Sequence, residues 1–303
     1  MELHGFLNLD KPLGWTSHDV VGRCRRILHT KRVGHAGTLD PAATGVLVVG
    51  VGRATRLLDY VQHGSKEYVA HVVLGVDSTT ADIDGRLVED PAQSVTAVSA
   101  AAVEQILPEF VGQIQQIPPK YSAVKQDGEP LHRKVRRGEP VDVPVRTVHV
   151  SSISVLSFEW PDLVLHVECG SGVYIRSLAQ DIGARLGTGG YLHHLIRTRV
   201  GPFTLTASHS LTTLASAAFP AAWTQYATSI DAGMTSYPAL LTDDSTSEAW
   251  YHGRSIRGSQ DSPDRDISHV RVLTSRGAFA GLAKVEGDSG RNVYRPKIVL
   301  PRQ

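Results

Sequence analysis

The sequence predicts a mixed α/β protein made of a large domain and a compact all-β module. The chain of 303 residues is long for one hydrophobic core, because domains usually run to about 100–150 residues. Strand and helix patterns alternate over the first two thirds of the chain. Short β-like runs between Gly and Asp turns fill the last part. We therefore expect a first domain over residues 1–230 and a second over residues 231–303.

The first predicted elements lead into a glycine-rich loop. Residues 6–9 are expected to form a short strand, and Thr16 or Ser17 to cap a helix. This helix has one apolar face, formed by Val20, Val21, Cys24, Ile27 and Leu28. Residues 34–41 are predicted to be a loop, because two glycines, a threonine and an Asp-Pro step suit neither a helix nor a strand.

The middle of the chain alternates between the two kinds of element. Residues 46–49 and 68–74 are expected to be buried strands, the second only largely so, with a short helix over 54–62 between them. An amphipathic helix is expected over 95–107, ended by Pro108. Its apolar residues are Val95, Val103, Ile106 and Leu107.

Strands and one helix are also expected in the remainder of the chain. The helix covers residues 172–186 and stops at Gly187, with an apolar stripe of Ile175, Leu178, Ile182 and Leu186. Residues 228–238 turn small and polar, as a linker would. The expected strands cover residues 148–158, 163–167, 192–200, 270–273 and 278–285.

Composition is that of an ordinary globular protein, with 41% hydrophobic and 20% charged residues. No run approaches the ~20 apolar residues that cross a bilayer, and the N-terminus lacks the features of a signal peptide. We therefore expect a cytoplasmic protein that does not bind membranes. Cys24 and Cys169 each lie on the apolar side of their segments and are expected to be buried free thiols. Their neighbourhoods lack the ligand spacing of a zinc site.

Charge is unevenly distributed although the net charge is only +1. Residues 11–34 contain six Lys or Arg and one acid, and residues 120–137 contain six against two. Acidic residues collect instead at 77–90. Such segregation suits a face that binds phosphate, although either cluster alone could equally be a solvated helix face.

One segment imitates a nucleotide-binding motif. Gly50 and Gly52 follow a predicted strand and precede a helix, as in a dinucleotide-binding βαβ unit. The third glycine of that motif is replaced by Thr55, and a lone Gly-x-Gly is a weak signal. We therefore treat a nicotinamide-dependent enzyme as a minor alternative.

Asp40 is the most informative single residue of the loop. A carboxylate in such a loop can cap a helix, or it can be a nucleophile on a rigid turn, with Pro41 fixing the backbone after it. Composition does not separate these two interpretations.

Four motifs resemble the TruB family of tRNA pseudouridine synthases. They are GHAGTLDPAATGVL at residues 34–47, KEY at 66–68, IPPKYSAVK at 117–125 and GVYIRSL at 172–178. Their order matches the family, and the resemblance covers roughly residues 5–200. The tail resembles the small β-barrel RNA-binding domain called PUA more loosely, at residues 248–253, 277–283 and 296–300.

The resemblance implies a fold and a reaction. The fold is a pseudouridine synthase domain with a mixed, mostly antiparallel central sheet, an RNA-binding insertion at about 110–150, and a C-terminal PUA-like domain. The reaction isomerises the T-loop uridine at tRNA position 55 by base flipping, with no cofactor and no metal. The implied partner is the T arm of tRNA, bound by a monomer without a guide RNA.

The resemblance also implies roles for particular residues. Asp40 is the nucleophile, and Arg176 is the charge partner that keeps it ionised. Tyr68 stacks on the flipped uracil and accepts its C5 proton, and His35 occupies the space that extruded bases leave. The other substrate-binding positions are Tyr174 and Leu195 in the uracil pocket and Lys11, which braces Tyr68.

The basic clusters are then expected to contact T-arm phosphates, which position the RNA without reading its sequence. These residues are Arg23, Arg25, Arg26, Lys31 and Arg32, and separately Lys125, Arg133, Lys134, Arg136 and Arg137. The acids Asp77, Asp82 and Asp84 are expected to form a solvated turn. Two alternatives stay open: a guide-RNA-dependent synthase, and a module that folds RNA rather than modifying it.

Overall fold

The protein is described here by a computed structural model. The structure describes residues 3–88, 96–119, 121, 125–126, 129–130, 134–135, 137–258, 267–288 and 291–302.

Strands dominate the secondary structure. In chain order they are β1 Gly5–Lys11, β2 Val33–His35, β3 Ala43–Val51, β4 Lys66–Leu74, β5 Asp77–Ser78, β6 Leu87–Val88, β7 Gly112–Gln116, β8 Lys125–Gln126, β9 Glu129–Pro130, β10 Arg146–Glu159, β11 Asp162–Cys169, β12 Gly190–Val200, β13 Phe203–Thr204, β14 His209–Ser210, β15 Ala227–Thr228, β16 Ala239–Leu241, β17 Ile256–Arg257, β18 His269–Leu273, β19 Phe279–Asp288 and β20 Arg291–Val299.

Helices lie between these strands. The α-helices are α1 Ser17–Ile27, α2 Leu58–Gln62, α3 Ala100–Ile106, α4 Ile175–Leu186, α5 Leu211–Ser216, α6 Trp223–Tyr226 and α7 Asp244–Tyr251. Single turns of 3-10 helix cover Gly52–Leu57, Leu107–Phe110, Leu205–Ala207 and Ala232–Met234.

The large sheet has the order β14-β1-β3-β12-β4-β11-β10-β7, with β2, β13 and β15 paired at its sides. Its pairs are antiparallel except β1 with β14 and β3 with β12. The predicted mixed, mostly antiparallel central sheet is therefore confirmed.

The sheet topology also excludes the nucleotide-binding alternative. Strand β12 lies between β3 and β4, parallel to the first and antiparallel to the second, so these two strands run in opposite directions and form no βαβ unit.

Helix α1 begins as predicted. Thr16 is the N-cap, and its side chain forms a capping box with Asp19. Val20, Val21 and Cys24 are buried, so the predicted apolar face is confirmed.

The glycine-rich loop is shorter than predicted. Gly34 and His35 lie on β2 and pair with Gly50 and Val49 of β3. Pairing is possible here because both glycines leave room for Leu58, whose side chain a Cβ at either position would meet within 3 Å. The loop itself therefore starts after His35.

Two other predicted boundaries were wrong. The helix predicted over 95–107 begins only at Ala100, because the Ser99 hydroxyl caps it by accepting a hydrogen bond from the amide of Ala102. Val95 lies outside the described residues. The linker predicted over 228–238 packs into the protein instead, since Ile230 and Met234 are buried in an apolar cluster.

The second sheet is small and has the order β16-β18-β19-β20-β17. The module is not all-β as predicted, because α7 covers it. Trp250 of α7 is fully buried and donates an indole hydrogen bond to the carbonyl of Ala280, at 3.1 Å. Leu282 and Ile298 of this sheet share an apolar cluster with residues of β1 and β3.

The cysteine prediction is confirmed: Cys24 and Cys169 are buried and free. In the described part of the chain, no helix is long and apolar enough to cross a membrane.

Candidate active site

Asp40 lies in the connection between β2 and β3, which a set of hydrogen bonds holds in place. The Ser17 hydroxyl accepts from the amide of Leu39 at 2.9 Å and also lies 3.1 Å from its carbonyl. The amide of Gly14 donates to the carbonyl of Pro41 at 2.8 Å. Both residues that flank Asp40 are thus tied to α1 and to the turn before it. Sequence reasoning considered Ser17 only as a helix cap, and nothing local reveals its contact with Leu39.

Lys11 holds the same loop through its side chain. Its side chain is fully buried, and Nζ donates to the carbonyls of Pro12, Trp15 and Pro41 at 3.0, 2.7 and 3.5 Å. Burial lowers the pKa of Lys11 to about 8, and the nearby charge of Asp40 opposes this shift. These hydrogen bonds go to the turn and the loop, and the bracing of Tyr68 by Lys11 stays a prediction.

Arg176 lies in the first turn of α4 and forms the predicted ion pair with Asp40. The Arg176 Nε to Asp40 Oδ2 distance is 3.0 Å. The arginine side chain is 7% exposed, whereas the Asp40 side chain is 42% exposed. A buried cation therefore holds a carboxylate whose other side is open to solvent, as a carboxylate that attacks a bound substrate requires.

Asp82 is buried, so the prediction that it belongs to a solvated turn was wrong. Its Oδ2 lies 3.2 Å from Nη1 of Arg176, and its Oδ1 accepts from the amide of Asp84 at 3.2 Å. The neighbouring acids Asp77 and Asp84 are exposed, as predicted. The backbone of Asp82 forms an isolated β-bridge with Leu192 of β12. This bridge brings the turn onto the sheet, and the Asp82 side chain is buried there.

One guanidinium thus serves two carboxylates. Burial raises the pKa of Asp40, the charges of Asp82 and Asp84 raise it further, and Arg176 and Lys11 lower it. The net effect is that the pKa of Asp40 is raised. The expected partner is present, yet Asp40 is harder to ionise than an ordinary aspartate, first because it is buried and then because the charge of Asp82 lies against the same guanidinium.

Tyr68 and Leu195 form the apolar floor beside this pair. Tyr68 lies on β4 and Leu195 on β12, with 6% and 8% of their surfaces exposed. Both belong to one apolar cluster that also contains Leu39. Burial raises the pKa of Tyr68, and the positive charge of Arg197 opposes that shift.

Tyr174 is half-buried at the N-cap of α4. The amide side chain of Gln116 holds its backbone with two hydrogen bonds: Nε2 donates to the Tyr174 carbonyl at 3.0 Å, and the Tyr174 amide donates to Oε1 at 2.8 Å. Ser177 on the next turn donates to the carbonyl of Ile117 at 2.7 Å. Gln116 escaped sequence reasoning, because a single glutamine at a strand end gives no local signal.

His35 is half-buried on β2. Burial lowers the pKa of its imidazole, the charge of Arg197 acts in the same direction, and a hydrogen bond with the backbone of Gly37 opposes both. Its Nδ1 is buried with no hydrogen-bond partner among the described residues. The neutral imidazole is therefore favoured at this position.

The first basic cluster is largely accessible. Arg26, Lys31 and Arg32 are exposed and Arg23 is half-buried. Arg25 differs, because its Nη2 donates to the carbonyl of Val33 at 2.9 Å and so supports the start of β2.

The second basic cluster is described only in part. Lys125 lies on β8 and Lys134 is half-buried, while Arg133 and Arg136 lie outside the described residues. Arg137 is exposed and engages Glu129 and Glu139, each at 2.7 Å. Its charge is locally neutralised, which makes it a weak candidate for phosphate.

Within the residues that the structure describes, no three or more His, Cys, Asp or Glu side chains are arranged to hold a metal ion.

Comparisons with known proteins converge on one family. Residues 25–175 match the family described as TruB family pseudouridylate synthase (N terminal domain), and residues 176–234 match the tRNA pseudouridylate synthase B C-terminal domain. A tRNA pseudouridine synthase B of Trichormus variabilis is 43% identical over 94% of this chain and 95% of its own. One of Leifsonia xyli is 41% identical over 95% of each chain.

Solved structures are similar as well. The crystal structure of a Cbf5-Nop10-Gar1 complex matches with a TM-score of 0.74 and 29% identity, over 98% of this chain and 85% of the other. An H/ACA RNP bound to a substrate RNA containing 2'-deoxyuridine matches with a TM-score of 0.73 and 27% identity, over 98% and 86%.

Proposed function

The chain belongs to the TruB family of pseudouridylate synthases, and from this premise we propose that it isomerises the T-loop uridine at tRNA position 55 to pseudouridine. The enzyme is accordingly an isomerase that modifies tRNA. The ion pair between Asp40 and Arg176, at 3.0 Å and with the Asp40 side chain open to solvent, carries the assignment of the reactive group.

Asp40 is the proposed nucleophile. The N-glycosidic bond breaks and its electron pair leaves with N1 of uracil, while the sugar carbon becomes electron-poor, as in glycoside hydrolysis. The Asp40 carboxylate either bonds to C1′ or removes the C2′ proton to give a glycal. In the first route, C5 of the turned uracil then bonds to C1′ and displaces the carboxylate. In the second, C5 bonds to C1′ of the glycal while the proton returns from Asp40 to C2′, which regenerates the carboxylate. Support comes from the accessibility of one side of Asp40 and the fixed Arg176 behind it.

The uracil pocket is proposed to consist of Tyr68, Leu195 and Tyr174. A ring stacked on a base contributes about 1–3 kcal/mol, which helps to offset the few kcal/mol needed to extrude the uridine from the T loop. His35 is proposed to fill the vacated space, a role that its neutral imidazole suits. Lys11 is fully buried, so we propose that it supports the Asp40 loop and does not contact the substrate.

Tyr68 is also the proposed acceptor of the C5 proton. Once C5 is bonded to C1′, the C5–H bond breaks and its electron pair forms the C5=C6 bond. The former N1=C6 pair moves to N1, which takes a proton from water. Tyr68 must enter this step as phenolate and leaves it as phenol, so the step depends on how the site stabilises the phenolate.

RNA binding is proposed to use the T arm, with the exposed Arg26, Lys31 and Arg32 on phosphates and Arg23 beside them. We further propose a cytoplasmic monomer that needs no guide RNA. The domain division at residues 230 and 231 is supported by the sheets, since every strand of the large sheet comes before residue 230 and every strand of the small one, β16 to β20, comes after residue 231. Residues 110–150 remain the proposed RNA-binding insertion.

Tritium release tests the proposed function. The purified protein alone is incubated with tRNA labelled at uracil C5, and we expect release from the T-loop uridine. Asp40→Ala should bind tRNA but release no tritium. Release only after a guide RNA is added would indicate a guide-dependent enzyme, and no release from the T loop under either condition would refute the proposal.

A further inference from the structure

Arg197 is a buried cation that touches both halves of the active site. It lies on β12 directly opposite Tyr68 of β4 and is 1% exposed. Its Nη2 donates to the carbonyl of Gly37 at 3.2 Å and its Nη1 to that of Thr38 at 3.4 Å. Its Nε donates to the carbonyl of Val46 at 2.7 Å. The loop that carries Asp40 is thus held at both ends by one side chain.

Tyr68 completes the set of Arg197 contacts. Because the two residues lie directly opposite one another on paired antiparallel strands, their side chains are neighbours, and the charge of Arg197 lowers the pKa of the phenol. Other charged or ionisable groups that act on the phenol are Cys169 and Asp40, and both disfavour its ionisation. Arg197 is therefore the group around Tyr68 that favours the phenolate.

The partners of Arg197 are unusual for a buried arginine. Arg176, Arg199 and Arg271 each form an ion pair with a carboxylate. The described ion pairs include none for Arg197, whose hydrogen-bond acceptors in the described part of the chain are carbonyls. A buried cation without an anion is costly, so its charge remains available to an anion that forms during the reaction.

We propose that Arg197 is a positioning residue that holds the Asp40 loop by its carbonyls and stabilises the phenolate of Tyr68 that accepts the C5 proton. This inference rests on the proposed function. It assigns two linked tasks to one side chain. The first aligns Asp40 with the bound sugar, and the second makes the last proton transfer possible.

The backbone around Arg197 supports the first task. Gly45 of β3 is paired with Arg197 and has a φ of +100°. A Cβ at this glycine would lie 2.3 Å from the carbonyl oxygen of Arg197. The strand with the arginine thus packs against the backbone just after Asp40, and any movement of Arg197 would be transmitted to the loop.

A fluorine probe at Tyr68 tests the second task directly. Difluorotyrosine is introduced at position 68 alone, because its lower phenol pKa brings ionisation into the range where a protein stays folded, and fluorine NMR follows the titration. We expect Arg197→Gln to raise the titration midpoint by about one pH unit or more, since a positive charge in contact with the phenol is lost. Arg197→Lys, which keeps the charge, should raise it less.

The kinetic test uses tRNA deuterated at uracil C5 with unmodified Tyr68. Arg197→Gln should slow product formation and raise the deuterium isotope effect above that of the wild type, because proton removal becomes more limiting. Arg271→Gln is the matched control, as Arg271 also donates to a carbonyl, that of Tyr237 at 2.8 Å, but lies in the small sheet. It should change neither the isotope effect nor the Tyr68 titration.

The outcomes separate this inference from the proposed function. A wild-type protein without tritium release refutes the proposed function, while the fluorine titration still shows whether Arg197 stabilises the phenolate. An active wild type with an unchanged Tyr68 midpoint in Arg197→Gln refutes the phenolate role. If Arg197→Gln does not fold, Arg197→Lys decides: a midpoint identical to that of the wild type and an unchanged isotope effect then overturn the inference.

Discussion

Asp82 is buried against Arg176, with Oδ2 3.2 Å from Nη1. The same guanidinium also holds Asp40. Because the positive charge is divided between two carboxylates, Asp82 orients the arginine and at the same time makes Asp40 harder to ionise. Several measurable consequences depend on this arrangement.

Asp82→Asn should move the acid limb of the pH–rate profile to lower pH. Asp40 must be ionised to react, and its pKa is raised in part by the charge of Asp82. Removal of that charge lowers the pKa of Asp40, because a neutral side chain no longer disfavours the nearby carboxylate. Single-turnover rates as a function of pH measure the limb. Asp84→Asn is the control, and it should give a smaller shift in the same direction because Asp84 is exposed. An upward shift for Asp82→Asn would contradict the assignment.

Arg176→Met should destabilise the protein and abolish most activity. Loss of one partner leaves a buried carboxylate, Asp82, unpaired, which costs about 3–5 kcal/mol. The Arg176→Met, Asp82→Asn double variant should recover much of the free energy of unfolding, measured by urea denaturation, but none of the activity. If the double variant recovered both stability and activity, the role of Arg176 would be limited to neutralising the buried charge of Asp82.

Gln116→Ala should lower the rate of isomerisation while tRNA affinity changes little. The substitution leaves the amide and carbonyl of Tyr174 without the two hydrogen bonds that place them, and it loosens the first turn of α4 at Arg176. We expect roughly a tenfold fall in the single-turnover rate. Gln115→Ala is the matched control, since Gln115 is exposed and donates only to the Thr147 hydroxyl. Equal effects of the two variants would argue against a positioning role for Gln116.

Arg32→Ala should weaken tRNA binding and reduce its salt dependence. Each lost phosphate contact lowers the slope of log K against log salt by about 0.7–0.9. Arg137→Ala should change the slope less, because Arg137 is paired with Glu129 and Glu139. Binding isotherms at several salt concentrations provide the slopes. A salt-independent affinity of the wild type would contradict phosphate-based binding altogether.

Local patterns predicted most elements of the fold. The capping box of Thr16 and Asp19 starts α1 at its predicted place, and Gly187, with a φ of +73°, ends α4. These signals depend on residues within one turn of each other. The predicted start of α3 was wrong, because the apolar pattern extends back to Val95, whereas the helix begins only after its cap at Ser99.

Contacts between distant segments were harder to predict. Asp82 belongs to a segment with the sequence of an exposed turn, and its burial depends on pairing with Leu192. Arg197 offered one usable signal: it lies two residues after Leu195, so both side chains face the same side of β12. An arginine on the buried side of a strand indicates a specific role for its side chain.

The sequence by itself determined the fold class, the family and the four motifs, three of which contain His35, Asp40, Tyr68 and Arg176, because these depend on the order of residues along the chain. Only the tertiary structure decided how their charges are balanced. The sharing of Arg176 between Asp40 and Asp82, and the contact of Arg197 with Tyr68, join residues from separate strands and turns. Electrostatic energies depend on distance and burial, and neither exists until the sheet has formed.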